Sequence, residues 1–199
     1  MMTAAHATAL NFSPFEVFFE PFPYAISSRA FDSIVSADIL AWLESGAPWK
    51  LVETDFYEQF EFSFIDADLP AGLAFLREQT FTESLTTQIQ ELFGVVLSGR
   101  VDATAHRLLQ GQRIRIHNDF IPEAETHRLL IQLNRGWVDG DGGFLLFFNS
   151  QDPADVHKIL RPIHNSAVAF AISPDSHHAV TTIHGGERYT LVFSFYAEK

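Results

Sequence analysis

The chain has 199 residues and no cysteine. That excludes disulfides, zinc–thiolate sites and iron–sulfur clusters, and it fits a reducing, cytoplasmic setting. Basic residues are scarce: 13 Lys and Arg stand against 25 Asp and Glu, for a formal net charge of −12. A field of that sign repels phosphate backbones, so no nucleic-acid partner is expected. No apolar run approaches the roughly 18 residues that a membrane helix needs, and no basic segment leads into an apolar one at the start. Neither a membrane span nor a secretory signal is therefore expected. Repeats and low-complexity linkers are missing too, so residues 1–199 read as a single domain.

Hydrophobic residues make up 47% and charged residues 19%, which places the chain among globular proteins. Phenylalanine is abundant, with 20 residues, and suggests a sheet-rich core with aromatic packing. Residues 1–13 are small and polar and read as a frayed leader. The aromatic stretch Phe15 to Phe22 reads as a core strand bounded by prolines. Ile34, Val35, Ile39, Leu40 and Leu43 fall at helical spacing, and the pattern ends before Gly46 and Pro48. Strand character follows over 49–64, then helix over 73–93 in two pieces divided near Thr80. The carboxylates of this first part, residues 1–98, read as a solvated face without clustered chemistry.

From Gly99 the pattern changes to short strands separated by polar turns, such as Asp139-Gly140-Asp141-Gly142-Gly143 and Gly185-Gly186-Glu187. Strands are expected at 103–109, 113–117, 127–133, 143–148, 159–161, 167–172, 179–183 and 189–196. Short strands in this number predict an antiparallel sandwich or barrel. Helices first and sheet second make the class α+β, with the helices backing one sheet.

The chemistry concentrates at Arg113-Ile114-Arg115-Ile116-His117-Asn118-Asp119-Phe120. On a strand, side chains at i and i+2 leave the same face, so His117 and Asp119 would address one point. Taken alone, His-x-Asp is as easily a strand-end histidine followed by a turn-capping aspartate. Ser176-His177-His178-Ala179-Val180 offers a further imidazole, and strand alternation turns His177 and His178 to opposite faces. Two histidines and one carboxylate on one face of a metal suit non-haem Fe(II). Arg188 sits at the head of the apolar run 189–195. An arginine in a sheet is paired with an acid of the protein, or its planar fork holds the carboxylate of a ligand.

In this order the pieces resemble the 2-oxoglutarate/Fe(II)-dependent oxygenases, and among them the prolyl-hydroxylase-like branch. The resemblance spans residues 103–196. It rests on Gly111-x-x-Ile114-x-x-His117-x-Asp119, on Leu133-Asn134-Arg135-Gly136-Trp137, and on Gly142-Gly143. It continues through Arg161-Pro162 with the apolar strand ending in Phe170, then His178-x-Val180 and Gly186-x-Arg188. Three positions depart from the family's usual residues: Ile114, the strand before Leu133, and Phe144.

The resemblance implies a double-stranded β-helix, or jelly-roll, core with the N-terminal helices behind it. It implies that His117, Asp119 and His178 hold Fe(II), and that 2-oxoglutarate chelates the metal and pairs its far carboxylate with Arg188. Asn134, Thr190 and Ser194 are expected to meet that cosubstrate; Thr190 and Ser194 share the strand face of Arg188. O2 is the oxidant and ascorbate a supporting reductant. The activity implied is hydroxylation of an amino-acid side chain, free or within a peptide or protein, including tailoring of a peptide natural product. His106, His127, His157, His164 and His184 match no role and read as surface or packing residues. Two other readings stay open on the residues alone: a non-catalytic metal- or sugar-binding β-sandwich, and a cupin-type dioxygenase without cosubstrate.

Overall fold

The structure, a computed structural model, describes residues 9–198. Its first part holds β1 (Glu16–Phe18), β2 (Tyr24–Ser27), α1 (Ser33–Ser45), β3 (Lys50–Glu53) and β4 (Glu58–Ser63). A 3-10 segment, Ala71–Arg77, leads into α2 (Gln79–Phe93). Then come β5 (Leu97–Leu108), β6 (Ile114–His117), β7 (His127–Gln132), β8 (Leu145–Phe148) and β9 (Val156–Leu160). β10 (Ala167–Ala171), β11 (His178–Val180) and β12 (Arg188–Ala197) complete the chain.

The strands form two antiparallel sheets. The large one has the order β1-β2-β10-β7-β12-β5-β4-β3, and the small one β6-β11-β8-β9. Side-chain alternation gives the large sheet two buried faces. Leu129, Ile131, Ala169, Leu191 and Phe193 face Ile39, Leu40, Leu43, Leu85 and Ile89 of the helices. Their neighbours Leu130, Val168, Phe170 and Val192 face Leu145, Phe147 and Val180 of the small sheet. Burial on both faces is why these strands read as continuous apolar runs rather than alternating ones. The result is the expected α+β jelly roll with helices behind one sheet.

α1 starts where the Asp32 side chain accepts the Ile34 N–H at 3.0 Å, an N-cap that satisfies an otherwise orphan donor. It stops at Gly46, whose N–H still bonds Trp42 O at 2.8 Å. The division of 73–93 into two pieces is present, at Glu78, two residues before Thr80.

Four expectations need correction. Ala9 to Ser13 are not frayed: Ala9 is buried, and the N–H groups of Asn11 and Ser13 bond Ala30 O and Arg29 O at 2.8 and 3.0 Å. The rest of that expectation concerns residues 1–8, outside the described residues. The 15–22 stretch forms a strand only over β1, and Phe19 is 75% exposed while Phe22 is buried. β2 was not foreseen, because its four residues lie hidden between prolines and serines. β5 begins at Leu97, six residues early. Its extension pairs with β12 through Val101↔Phe195 and Leu97↔Ala197, while Ser98, Arg100 and Asp102 mimic a loop composition.

Candidate metal centre and cosubstrate cavity

β6 and β11 are hydrogen-bonded neighbours, and their register sets His117 directly opposite His178. The two imidazole centroids are 4.2 Å apart. Asp119 reaches the same point by a route the sequence pattern did not reveal. β6 ends at His117, and Asp119 adopts φ 56°, a left-handed conformation that aspartate tolerates better than most residues. A turn, not strand alternation, brings the carboxylate round.

The hydrogen bonds fix the imidazole tautomers. His117 Nδ1 donates to Arg115 O and His178 Nδ1 donates to Ser176 O, both at 2.8 Å. A carbonyl can only accept, so each proton is on Nδ1 and each Nε2 presents a lone pair. Those lone pairs face Asp119: His117 Nε2 is 3.4 Å from Oδ1 and His178 Nε2 is 3.1 Å from Oδ2. One ligand atom from each residue lies within 4.8 Å of the others. With both rings neutral, three acceptors converge in a cluster that could hold a cation, and its nitrogen, nitrogen and oxygen donors fit Fe(II).

Arg128, on β7, completes the group. Its Nη1 donates to Asp119 Oδ2, while Nε and Nη2 grip Glu125 at 2.8 and 2.7 Å. Burial opposes ionisation of Asp119. Hydrogen bonds donated to the carboxylate and the Arg128 guanidinium outweigh burial and hold the carboxyl well below the usual carboxylate range. Burial also disfavours charge on His178 and lowers its pKa, which keeps a ligand nitrogen available.

Two cavities adjoin at this point. The inner one, about 280 Å³, lies between the sheets. Arg188, Thr190, Val192 and Ser194 line it from one face of β12, Arg128 and Leu130 from β7, and Thr104 and His106 from β5. The outer one, about 530 Å³, opens past His117 and Asp119 between Phe56, Ile116, Phe120, Ile121, Gln151 and His177. His178 faces the inner cavity and His177 the outer one, as alternation predicts.

Arg188 is 5% exposed, and among the described residues no carboxylate lies within ion-pair distance of it. Nη1 donates to Thr190 Oγ1 at 2.9 Å, and that hydroxyl donates to Gln132 Oε1 at 3.0 Å. Nε is buried without a partner. Burial pushes the guanidinium down to about 10, so it remains a cation at neutral pH. A buried unpaired cation in a cavity wall calls for an anion from outside the chain. Gly143 makes room for the arginine: a Cβ there (φ 71°) would meet Ile183 Cδ1 at 2.7 Å and Arg188 Cδ at 3.0 Å.

Asn134 is not part of this cavity. Its Nδ2 donates to Pro162 O at 2.9 Å and its Oδ1 accepts the Tyr189 N–H at 2.7 Å, so its polar atoms are spent on tying the β9–β10 loop to β12. The expectation that it meets the cosubstrate is withdrawn. The N-terminal part, read as free of clustered chemistry, supplies Phe56, Tyr57, Gln59 and Glu61 to the inner wall. Nor is His106 a mere surface residue. It lines the cavity between Gln59 Nε2 at 3.3 Å and Thr104 Oγ1 at 3.2 Å, and burial, with the fields of Arg128 and Arg188, pushes it down to about 3. Arg128 could have been found by the argument that flagged Arg188, since it too interrupts an apolar strand.

Residues 103–196 match the family model of the 2OG-Fe(II) oxygenase superfamily. The matched stretch is the one that carries the site. The solved structures most similar in fold include a Pseudomonas putida prolyl-4-hydroxylase, at 19% identity and TM-score 0.64, with 83% of this chain and 85% of that one covered. A Trichoplax adhaerens prolyl hydroxylase in complex with a hypoxia inducible factor peptide fragment gives TM-score 0.70 at 16% identity, covering 87% and 83%. A Burkholderia pseudomallei oxidoreductase of the 2OG-Fe(II) oxygenase family gives 0.60 at 21%, covering 83% and 80%. At these identities the likeness is one of fold, and the fold around the oxygenase stretch is prolyl-hydroxylase-like. A comparison with curated proteins gives no match.

Proposed function

We propose that this protein is a 2-oxoglutarate- and Fe(II)-dependent dioxygenase that hydroxylates an amino-acid side chain, free or within a peptide or protein. One observation carries the reading. Among the described residues, the only cation without an acid in the inner cavity wall, Arg188, shares that cavity with a convergent His-Asp-His cluster. A metal site alone would not need the arginine, and a three-histidine dioxygenase would need neither Asp119 nor Arg188.

In this reading His117 Nε2, the Asp119 carboxylate and His178 Nε2 hold Fe(II). Arg188, seconded by Thr190, pairs with the far carboxylate of 2-oxoglutarate, and Ser194 lines the same wall. When bound, iron with 2-oxoglutarate and O2 supplies oxidising power that side chains lack: the cosubstrate leaves as succinate and CO2, and oxygen enters a substrate C–H bond. The chain's own work is to place and to shield. Leu130, Leu145, Phe170, Val180 and Val192 supply the apolar share of the inner wall, and that share strengthens the Arg188 pairing. The outer cavity, walled by Phe56, Ile116, Phe120 and Ile121, receives the prime substrate.

The prolyl hydroxylase of similar fold that holds a peptide fragment supports a peptide or protein substrate. The acidic net charge argues against nucleic acid. Among the described residues no helix is long and apolar enough to cross a membrane. With the lack of cysteine, that accords with a cytoplasmic enzyme, and ascorbate is its supporting reductant. Incubation with Fe(II), ascorbate and 2-oxoglutarate, without prime substrate, is expected to release succinate slowly. Folded protein that releases none and binds no 2-oxoglutarate would overturn the reading.

A further inference from the structure

Phe56 occupies a place that core packing does not explain. It belongs to neither hydrophobic cluster of the fold. Its ring lies 4.8 Å from the His117 ring, tilted by 33°. Three residues line both cavities: Phe56, His117 and Asp119. Two are in the candidate metal centre, and the third is this half-buried phenyl ring.

The backbone beneath the ring is held independently of it. Phe56 sits at the tip of the β3–β4 hairpin. Its carbonyl accepts the Arg115 N–H at 2.9 Å, and Tyr57 pairs with Ile114. Across the turn the Thr54 N–H bonds Tyr57 O at 2.9 Å, and Thr54 Oγ1 accepts the Tyr57 N–H at 3.2 Å. A tip pinned to β6 by main-chain bonds holds one side chain against His117 at a fixed depth. We infer that Phe56 is the partition between the two cavities, an apolar screen that keeps bulk water from the metal position while 2-oxoglutarate is held behind it. The inference rests on the oxygenase reading above. A competing account is that the ring merely stabilises the hairpin.

The test uses the full chain loaded with Mn(II) and 2-oxoglutarate, and reads the longitudinal relaxation of water protons, which reports water exchanging at the metal. Phe56→Ala removes the ring but leaves every main-chain anchor. It is expected to raise the Mn(II)-dependent relaxation about twofold by opening the screen. Phe56→Leu, still apolar and bulky, is expected to stay near the parent value. Succinate released without prime substrate under Fe(II) should rise in Phe56→Ala alongside the relaxation. His178→Ala, which loses a metal ligand, sets the level for no bound ion. If Phe56→Ala binds Mn(II) and lowers the unfolding temperature with relaxation unchanged, the ring is packing and the inference falls. If the parent protein's relaxation equals the His178→Ala level, no ion is bound, and the oxygenase reading fails and the screen with it.

Discussion

Arg128 donates to the carboxylate of Asp119 with one nitrogen and holds Glu125 with the other two. The side chains of all three are at most 17% exposed. A charge chain of this kind is stable as a unit and poor in fragments. Arg128→Met strands Glu125 and Asp119 as buried anions, and is expected to destabilise the protein by about 3 kcal/mol. Adding Glu125→Gln should restore part of that loss, because one stranded anion disappears. Urea unfolding of the single and double variants checks both. A double variant no more stable than Arg128→Met would mean that Glu125 is already solvated.

His177 and His178 are adjacent in sequence and face different cavities. His178→Ala is expected to weaken Co(II) binding by more than the roughly 10–100-fold that changes outside the ligand shell produce. His177→Ala should leave the affinity within a few-fold, since its ring is turned to the outer cavity. Isothermal titration of the two variants decides between them. The reverse order would move the ligand by one residue and break the register of β11 with β6.

The difference between legible and hidden parts of the site follows from how each residue gets there. Thr190 and Ser194 were legible because strand alternation is a local rule, and β12 obeys it along one face; His178 and Arg188 stood out by the order of the motifs. Asp119 was expected beside His117 by strand alternation, but its carboxylate arrives through a left-handed turn after the strand has ended. Asn134 misled because an amide at a strand end serves loop carbonyls as well as ligands. Phe56, Gln59, Glu61 and His106 were hidden because the β3–β4 hairpin comes to the cavity only through long-range pairing of β4 with β5. The layered fold was readable from the change of periodicity near Gly99. The ends of β5 and the short β2 were not, since their pairing partners lie far along the chain.

Among the described residues Arg188 has no acid partner, so its charge is available for a ligand. Arg188→Ala is expected to weaken 2-oxoglutarate binding about 100-fold, the loss of a charge-assisted pair in a dry site. Arg188→Lys should recover part of it, because it keeps the charge but not the planar fork. Thr190→Val should cost less than Arg188→Ala, since Thr190 acts beside the arginine. Binding is measured with Mn(II) in place of iron so that no turnover intervenes. Equal affinity in the parent and Arg188→Ala would sink the cosubstrate assignment while leaving the metal centre standing.

Two buried imidazoles make stability depend on pH without involving the metal. Burial and the fields of Arg128 and Arg188 push His106 from its ordinary 6.5 down to about 3, and burial pushes His127 down to about 4. In the unfolded chain both take up a proton as pH falls below 6.5, while in the fold they stay neutral until the lower values are reached. Between those limits the unfolded state binds more protons, so stability rises with pH there and declines on acidification. The limiting slope is about 1.4 kcal/mol per pH unit for each imidazole. Urea midpoints of the metal-free protein between pH 4.5 and 6.5 (roughly the upper part of that window) should fall steadily toward acid. His106→Gln should flatten part of the slope, leaving the contributions of His127, His164 and His178, which burial also lowers. An unchanged slope in His106→Gln would show that His106 protonates in the fold as readily as in the open chain, and that the inner cavity is wet before any ligand arrives.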